Sequence, residues 1–312
     1  MSGSARPIDP PLVSVLIPTR NRCARLFTTL RSVLAQHDVN LEIVVVDDGS
    51  QDDTDKMVAR LGDPRIRLVR NESPRGESGA RNRGLEETRG IWVAFLDDDD
   101  LWAPNKLARQ LSALQGTRRE WAYTGDVVVD GELRIVSGEP PPSPEEMTEA
   151  LGRYNSVPAG ASNVIVSSRL LAEVGPFDGG LRRTADWDMW LRLARHGPPA
   201  WVRSPLVANC IHGTNMFKDM TILFQELDVL ARRHQIPVDR ARHYRWAAWH
   251  ALVDGQRWKA LRYYGGAIHE GDLRSIGRAT IGLFRPVGTG SPREEMSDEW
   301  AADARRWLDD FR

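Results

Sequence analysis

Residues 91–96 (IWVAFL) form an apolar run that stops on four consecutive aspartates at 97–100. Six apolar residues bounded by polar ones read as a buried strand. The acidic block must therefore stand at the carboxyl end of that strand. Adjacent carboxylates disfavour one another's ionisation, and hard oxygen ligands of this kind suit Mg²⁺ or Mn²⁺. An acidic run on an open tail would be a solvated loop. Here it follows a core strand directly and is followed by Leu101-Trp102, so it belongs to a site.

The same motif of apolar run and polar stop recurs upstream. Val13–Thr19 (VSVLIPT) ends at Pro18 and runs into Thr19-Arg20-Asn21, and 41–46 (LEIVVV) runs into Asp47-Asp48-Gly49-Ser50. Between them, 23–36 carries Leu26, Leu30, Val33 and Leu34 at helical spacing; 53–61 and 79–88 read as further helices and 66–69 as a third strand. Strands alternating with helices predict βαβ units and a mainly parallel sheet, with ligands outside the carboxyl ends of the strands. Three such ends carry unusual polar residues. Asp47 and Asp48 also suit an Asx-turn or helix cap, with Asp52, Asp53 or Thr54 opening the next helix.

Composition narrows the class. Of 312 residues, 41% are hydrophobic and 27% charged, and 42 basic side chains against 43 acidic ones leave a net charge of −1. No global positive field recruits nucleic acid. No apolar run approaches the ~18 residues of a membrane span, and residues 1–12 read as a disordered leader without a secretory signal. Two cysteines, Cys23 and Cys210, cannot build a disulfide framework. A cytoplasmic protein is expected.

Downstream, 123–129 and 133–136 flank Asp130-Gly131, a hairpin signal. Residues 139–144 form a proline-rich loop, 163–167 a strand, and 184–195 an amphipathic helix closed by Gly197. Helices are expected at 217–234 and, as a hairpin turning at Gly255, at Arg240–Val253 and 256–269. From 229 to 285 eleven Lys or Arg face four Asp or Glu, with Tyr244, Trp246, Trp249, Trp258, Tyr263 and Tyr264 interleaved; from 286 to 312 the balance is acidic. An ordinary solvated helix face with aromatics in the core explains the basic stretch, and contact with an anionic lipid surface or a phosphorylated acceptor is its functional counterpart.

VSVLIPTRNR, EIVVVDDGSQDDT, GARNRG and WVAFLDDDDLWAPNKL, in that order, resemble a family 2 glycosyltransferase with the GT-A fold. The likeness is close over the first 115 or so residues and looser to about His212. It implies an α/β fold, a mainly parallel sheet flanked by helices, with a helical C-terminal extension. The expected organisation is a catalytic domain at 13–215 (nucleotide-binding half 13–115, acceptor half 116–215), a helical extension at 216–285 and an acidic tail at 286–312.

By that resemblance Asp97 faces the ribose, Asp99 holds a Mn²⁺ or Mg²⁺ that bridges the donor diphosphate, and Asp98 shares either role. Asp48 contacts the base, and Pro18, Thr19 and Arg20 line its pocket. Arg20 stands where many relatives carry an aromatic residue, and a guanidinium stacks as well. Arg81 matches the family's ARN segment and supports phosphate or sugar, its bland alternative being a salt bridge to the acidic loops. Ala185-Asp186 stands at the family's Glu-Asp motif, with the glutamate replaced. Asp186 is the expected general base and Asp188 the second candidate; helix capping by Thr184 or Asp186 is the structural alternative. His212 resembles the late histidine that completes the metal shell or donates to the diphosphate, a structural histidine being the bland alternative, with Asn215 a weaker neighbour. Trp187 and Trp190 offer faces for a sugar, with core packing the expected role of at least one.

The implied activity is a metal-dependent, inverting transfer from a UDP-, dTDP- or GDP-sugar to a glycan, lipid-linked or small-molecule acceptor, without nucleic acid. Residues 229–285 are the expected site of peripheral contact with the inner membrane surface. Two rivals belong to other classes. A nucleotidyltransferase would carry a glycine-rich loop after the first strand, where this chain has PTRNRCAR. A non-catalytic sugar-nucleotide-binding or scaffold protein would not need Asp97, Asp99, Asp186 and His212 together. A dinucleotide-binding oxidoreductase lacks the glycine spacing, since Gly76, Gly79 and Gly84 do not supply it.

Overall fold

The computed structural model describes residues 13–211, 220–253, 255–277 and 296–312. In chain order the elements are β1 (Val13–Thr19), α1 (Cys23–Leu34), β2 (Leu41–Asp47), α2 (Thr54–Leu61), β3 (Ile66–Arg70), α3 (Gly76–Leu85), β4 (Trp92–Phe95), β5 (Leu101–Trp102) and α4 (Lys106–Leu114). They continue with β6 (Trp121–Val129), β7 (Ile135–Glu139), α5 (Pro144–Leu151), a 3-10 turn at Gly160–Asn163, β8 (Ile165–Ser167), α6 (Ser168–Val174), α7 (Ala185–His196) and β9 (Ala200–Cys210). The helices α8 (Met220–His234), α9 (Arg240–Val253), α10 (Arg257–His269) and α11 (Asp298–Leu308) complete the described chain.

The strands form one sheet in the order β3-β2-β1-β4-β8-β6-β9-β5, with β7 on β6. β1, β2, β3 and β4 are parallel, as the alternating pattern predicts. Beyond β4 the sheet is mixed: β8 runs antiparallel to both β4 and β6, while β6 and β9 are parallel. Register aligns Thr19 with Asp47, the ends of β1 and β2, and Leu16 with Phe95, so β4 stops three residues short of them and the chain that follows it carries Asp97 and Asp98 towards their level. β1 and β2 are buried along nearly their whole length because helices cover both faces.

One face packs against α1, α2 and α4 through Leu26, Leu30, Val58 and Leu107. The other carries α5, α7 and α8, with Trp187, Trp190 and Leu227 inside. α3 lies close to the sheet at Gly84, where an added Cβ would come within 2.8 Å of Leu16 and 2.9 Å of Val46. The hairpin at 130–134 is present, closed by Asp130 N–H to the Arg134 carbonyl, and α9 and α10 turn at Gly255 with φ of 72°.

Two expectations change. The proline-rich stretch leads into α5, whose N-terminus is a capping box formed by Ser143 and Glu146 with Pro144 at the first turn. Within the stretch expected as an acidic tail, 286–312, Trp300, Trp307, Leu308 and Phe311 are buried against Val127, Val129 and Leu206. Trp300 Nε1 donates to the Asp126 carbonyl at 3.1 Å and Trp307 Nε1 to that of Pro205 at 3.0 Å. The acidic residues occupy the outer face of a helix whose inner face is aromatic.

Candidate active site

Three strand ends and one helix start converge. At the end of β2, Asp47 accepts from Ser50 N–H at 2.7 Å and from Arg70 at 2.8 Å, which makes the expected Asx-type turn. Asp48 is turned towards α3. Its Oδ1 accepts from Asn71 Nδ2 and Arg75 N–H, both at 2.8 Å, and its Oδ2 from Gly76 N–H at 2.9 Å. It thus fixes the loop before α3 by taking up orphan amides at a helix start. A carboxylate offers about four lone-pair sites, so Oδ2 retains one. Asp52 joins α1 to α2, accepting from Cys23 N–H at 3.0 Å and the Thr54 hydroxyl at 2.5 Å.

The aspartates at 97–100 divide by environment. Asp100 is buried; it accepts from the Ser162 hydroxyl at 2.5 Å and Cys210 N–H at 2.9 Å. Burial and the neighbouring Asp99 and Asp97 push its pKa well above the usual carboxylate range. Asp98 accepts from the Thr19 hydroxyl at 2.6 Å and from Arg22 at 2.9 Å, and burial raises its pKa against those bonds. Asp99 accepts from the same Arg22 nitrogen at 2.7 Å. Asp97 is the most open of the four and accepts from Arg81 at 2.6 Å; burial raises its pKa although Arg81 opposes the rise.

The charge cost anticipated from the sequence is therefore met partly by the chain itself, through Arg22 and Arg81. Arg22 was not anticipated, since one arginine among PTRNRCAR carries no signal of which carboxylates it meets. Thr19 is buried and serves Asp98, Pro18 is half-buried, and Arg20 is exposed.

Arg81 is 3% exposed and donates to Asp97 and to Glu77, each at 2.6 Å, with its guanidinium 5.4 Å from the Phe177 ring centre. Burial disfavours its charge, but Glu77, Asp97 and Asp186 outweigh that and raise its pKa. Its Nε is buried without a partner. Both the salt bridge and the unused donor are thus present in one side chain.

Asp186 opens α7. Its Oδ2 accepts from Asn155 Nδ2 at 3.0 Å and its Oδ1 from Trp187 N–H at 2.7 Å. Burial raises its pKa, with Arg81 as the main opposing charge. Asp186 is not bonded to Arg81 but feels its charge; the 3-10 turn links the two ends, Ser162 Oγ accepting from Asp97 N–H at 3.1 Å. A Cβ on Gly160 would come within 3.2 Å of Asp186 Oδ2, so the 3-10 turn leaves room beside this carboxylate only because the residue is glycine.

Asp188 does not join this group. It is buried against α8, bonded to Arg192 at 2.9 Å, Arg233 at 2.9 Å and His234 Nε2 at 2.8 Å. Burial opposes its ionisation, but His234, Arg233 and Arg192 prevail and hold its pKa below the usual range. The second candidate base therefore faces α8 and its three basic partners. Thr184 donates to Glu226 of α8 at 3.0 Å instead of capping α7, and Glu226 also accepts N–H bonds from Arg182, Arg183 and Thr184. Trp187 and Trp190 are core residues: the first donates to the Leu151 carbonyl and stacks on His243, the second packs at Phe95. Neither offers a sugar platform. His212 and Asn215 lie outside the described residues.

Among the described residues, no group of three or more His, Cys, Asp or Glu is arranged to hold a metal by itself. Asp98 and Asp100 are engaged by protein donors on both oxygens. Asp97 and Asp99 fit the pattern of one or two hard carboxylates whose remaining ligands come from substrate phosphates.

The family model for glycosyl transferase family 2 matches residues 14–154. An Escherichia coli protein named UDP-Glc:alpha-D-GlcNAc-diphosphoundecaprenol beta-1,3-glucosyltransferase WfgD is 31% identical over 192 residues, covering 60% of this chain and 72% of that protein. The S. aureus TarS 1-349 crystal structure in complex with UDP-GlcNAc superposes with a TM-score of 0.60 at 16% identity, over 85% of this chain and 83% of that one. A mannosyltransferase from Pyrobaculum calidifontis, in complex with GDP-Man and Mn2+, gives a TM-score of 0.52 at 20% identity over 91% and 85%.

Proposed function

The chain belongs to glycosyltransferase family 2, and from that premise we propose that it moves a hexose from a uridine-diphosphate sugar to a hydroxyl of a lipid-linked glycan, with inversion. Glycosyl transfer from a nucleotide sugar is the activity of the family. The donor base and the acceptor follow the name of the glucosyltransferase with which this chain shares 31% identity. The observation that carries the proposal is the arrangement around Arg81: one buried guanidinium, with an unused Nε donor, is paired with Asp97 at the β4 end, and the charge of Asp186 at the α7 start acts on it.

In this reading the half at 13–115 holds the nucleotide and that at 116–215 the acceptor. Pro18, Thr19 and Arg20 with Asp48 form the base pocket, Asp48 by shaping the loop before α3 and by its remaining acceptor site. Asp97, with Asp98 buried behind it, stands on the ribose side. Mn²⁺ or Mg²⁺ would be held by Asp99 with Asp97 near, His212 being the further ligand expected from the sequence. When bound, such an ion neutralises charge developing on a diphosphate leaving group. Arg81 supplies fixed positive charge for the same group through Nε. Asp186 takes the proton of the acceptor hydroxyl as that oxygen attacks the anomeric carbon. Burial favours this role because it raises the carboxylate's proton affinity, and Asn155 holds the carboxylate in place.

A lipid-linked acceptor agrees with the surface of the helical extension. Trp258 is 84% exposed at the start of α10, beside exposed Lys259 and Arg262, and Leu273 and Ile276 are exposed beyond its end. Among the described residues no helix is long and apolar enough to cross a membrane, so the contact proposed is peripheral.

Calorimetric titration with UDP, GDP, dTDP and CDP, each with and without Mn²⁺, tests the donor reading. UDP alone should bind tightly, and EDTA should abolish that binding. Binding of none of the four to folded, metal-supplied protein would favour the scaffold alternative.

A further inference from the structure

Glu77 is the carboxylate of this centre that the sequence reading left out. It sits in the first turn of α3, one helical turn before Arg81, so both side chains project from the same helix face. Its Oε1 is 2.6 Å from Arg81, yet the side chain is 58% exposed while Arg81 is 3% exposed. The carboxylate thus covers the guanidinium from the solvent side. The same Arg81 Nη2 donates to Glu77 Oε1 and to Asp97 Oδ1, each at 2.6 Å, so Glu77 stands one guanidinium nitrogen away from the β4 end, and its charge is felt at Asp186. Asp97, Asp98, Asp100 and Asp186 each accept bonds that fix them in the protein frame. Among the described contacts, Glu77 is bonded only through Arg81.

Between the diphosphate side at Asp99 and the base at Asp186 stands the sugar that is transferred. A group near both ends must border that sugar. We propose that Glu77 reads the donor sugar, accepting hydrogen bonds from its ring hydroxyls and excluding sugars that carry a carboxylate. This rests on the donor reading above and adds to it the class of sugar: neutral hexoses or their N-acetylated forms. Two physical effects act together. A carboxylate accepting from a hydroxyl forms a charge-assisted bond, and a uronate brought against Glu77 meets a like charge.

The test is calorimetry in the presence of Mn²⁺ on the unsubstituted chain, Glu77→Gln and Glu77→Ala. The ligands are UDP, UDP-glucose, UDP-galactose, UDP-N-acetylglucosamine and UDP-glucuronate. The unsubstituted chain should prefer a neutral UDP-sugar over UDP-glucuronate. In Glu77→Ala, UDP should bind as before and the preferred UDP-sugar roughly tenfold or more weakly, the size of one charge-assisted bond. In Glu77→Gln, which keeps the shape and loses the charge, discrimination against UDP-glucuronate should collapse. Equal losses for UDP and UDP-sugar would confine Glu77 to holding Arg81 and overturn the proposal, as would unchanged UDP-sugar binding. If the unsubstituted chain binds no UDP, the donor reading fails first and takes this proposal with it; if it binds UDP and the Glu77 variants discriminate as it does, only the proposal fails.

Discussion

Arg22 Nη1 stands 2.7 Å from Asp99 Oδ2 and 2.9 Å from Asp98 Oδ1, so one guanidinium bridges the two central aspartates of the block at 97–100. The arginine comes from the loop after β1 and the aspartates from the end of β4, strands that are neighbours in the sheet. The chain carries its own counter-ion where a divalent cation is proposed to act.

A cation entering at Asp99 must compete with that guanidinium. Arg22→Met should therefore tighten Mn²⁺ binding to the nucleotide-free chain severalfold, measured by loss of the free Mn²⁺ signal in electron paramagnetic resonance. Asp99→Ala should weaken Mn²⁺ and UDP binding together. Weaker Mn²⁺ binding in Arg22→Met would mean that the arginine organises the carboxylates for the metal.

Asp186→Asn should bind UDP and UDP-sugar like the unsubstituted chain and lose transfer by roughly 10²- to 10⁴-fold, the usual contribution of a general base. Initial rates with a radiolabelled donor, set beside calorimetry, separate the two. Near-normal turnover would remove Asp186 from the role.

Asp188→Asn should act on stability. The carboxylate joins Arg192, Arg233 and His234. Loss of its charge should cost about 2 kcal/mol, less than the ~3–5 of a fully buried pair because Arg233 is partly exposed. Its pKa is depressed in the fold, so it contributes stability that is present above the unfolded value of roughly 3.9 and is lost as pH falls through the folded value. Urea midpoints between pH 2 and 6 should show the difference between Asp188→Asn and the unsubstituted chain shrinking towards the acid end. A constant difference would contradict this.

Trp300→Ala should lower the melting temperature of the whole catalytic unit. The indole packs on Gly125, where an added Cβ would fall 2.4 Å from the ring, and it donates to the Asp126 carbonyl of β6. Truncation of a buried tryptophan costs about 3–5 kcal/mol, which differential scanning calorimetry resolves. If 298–311 were a dispensable tail, the melt would not move.

Trp258→Ala should leave the melt unchanged and weaken flotation with liposomes containing phosphatidylglycerol at low salt. Equal flotation of both proteins, or none by either, would remove this tryptophan from the proposed membrane contact.

Much of the site was readable along the chain because its parts are local. An apolar β-branched run specifies a strand, and residues just beyond its end must lie at the sheet's carboxyl edge; 13–19, 41–47 and 91–100 needed nothing more. The α5 capping box at Ser143 and Glu146 was equally local and went unread beside the prolines. Partner choice was not readable. Asp186 and Asp188 lie two residues apart on one helix, with the same chemistry and the same nearby tryptophans. Their 3.6-residue periodicity sends one towards Asn155 and Arg81 and the other into α8, and only the packed position of α8 says which side holds Arg233 and His234. Arg22 and Glu77 were invisible for the same reason, since a charged residue in a loop or first turn reveals its partner only when distant strand ends are brought level. The sequence by itself determined the strands, the acidic strand ends and the family, because these depend on local pattern. Which carboxylates are saturated by protein donors follows only from packing, because packing delivers the donors to each oxygen.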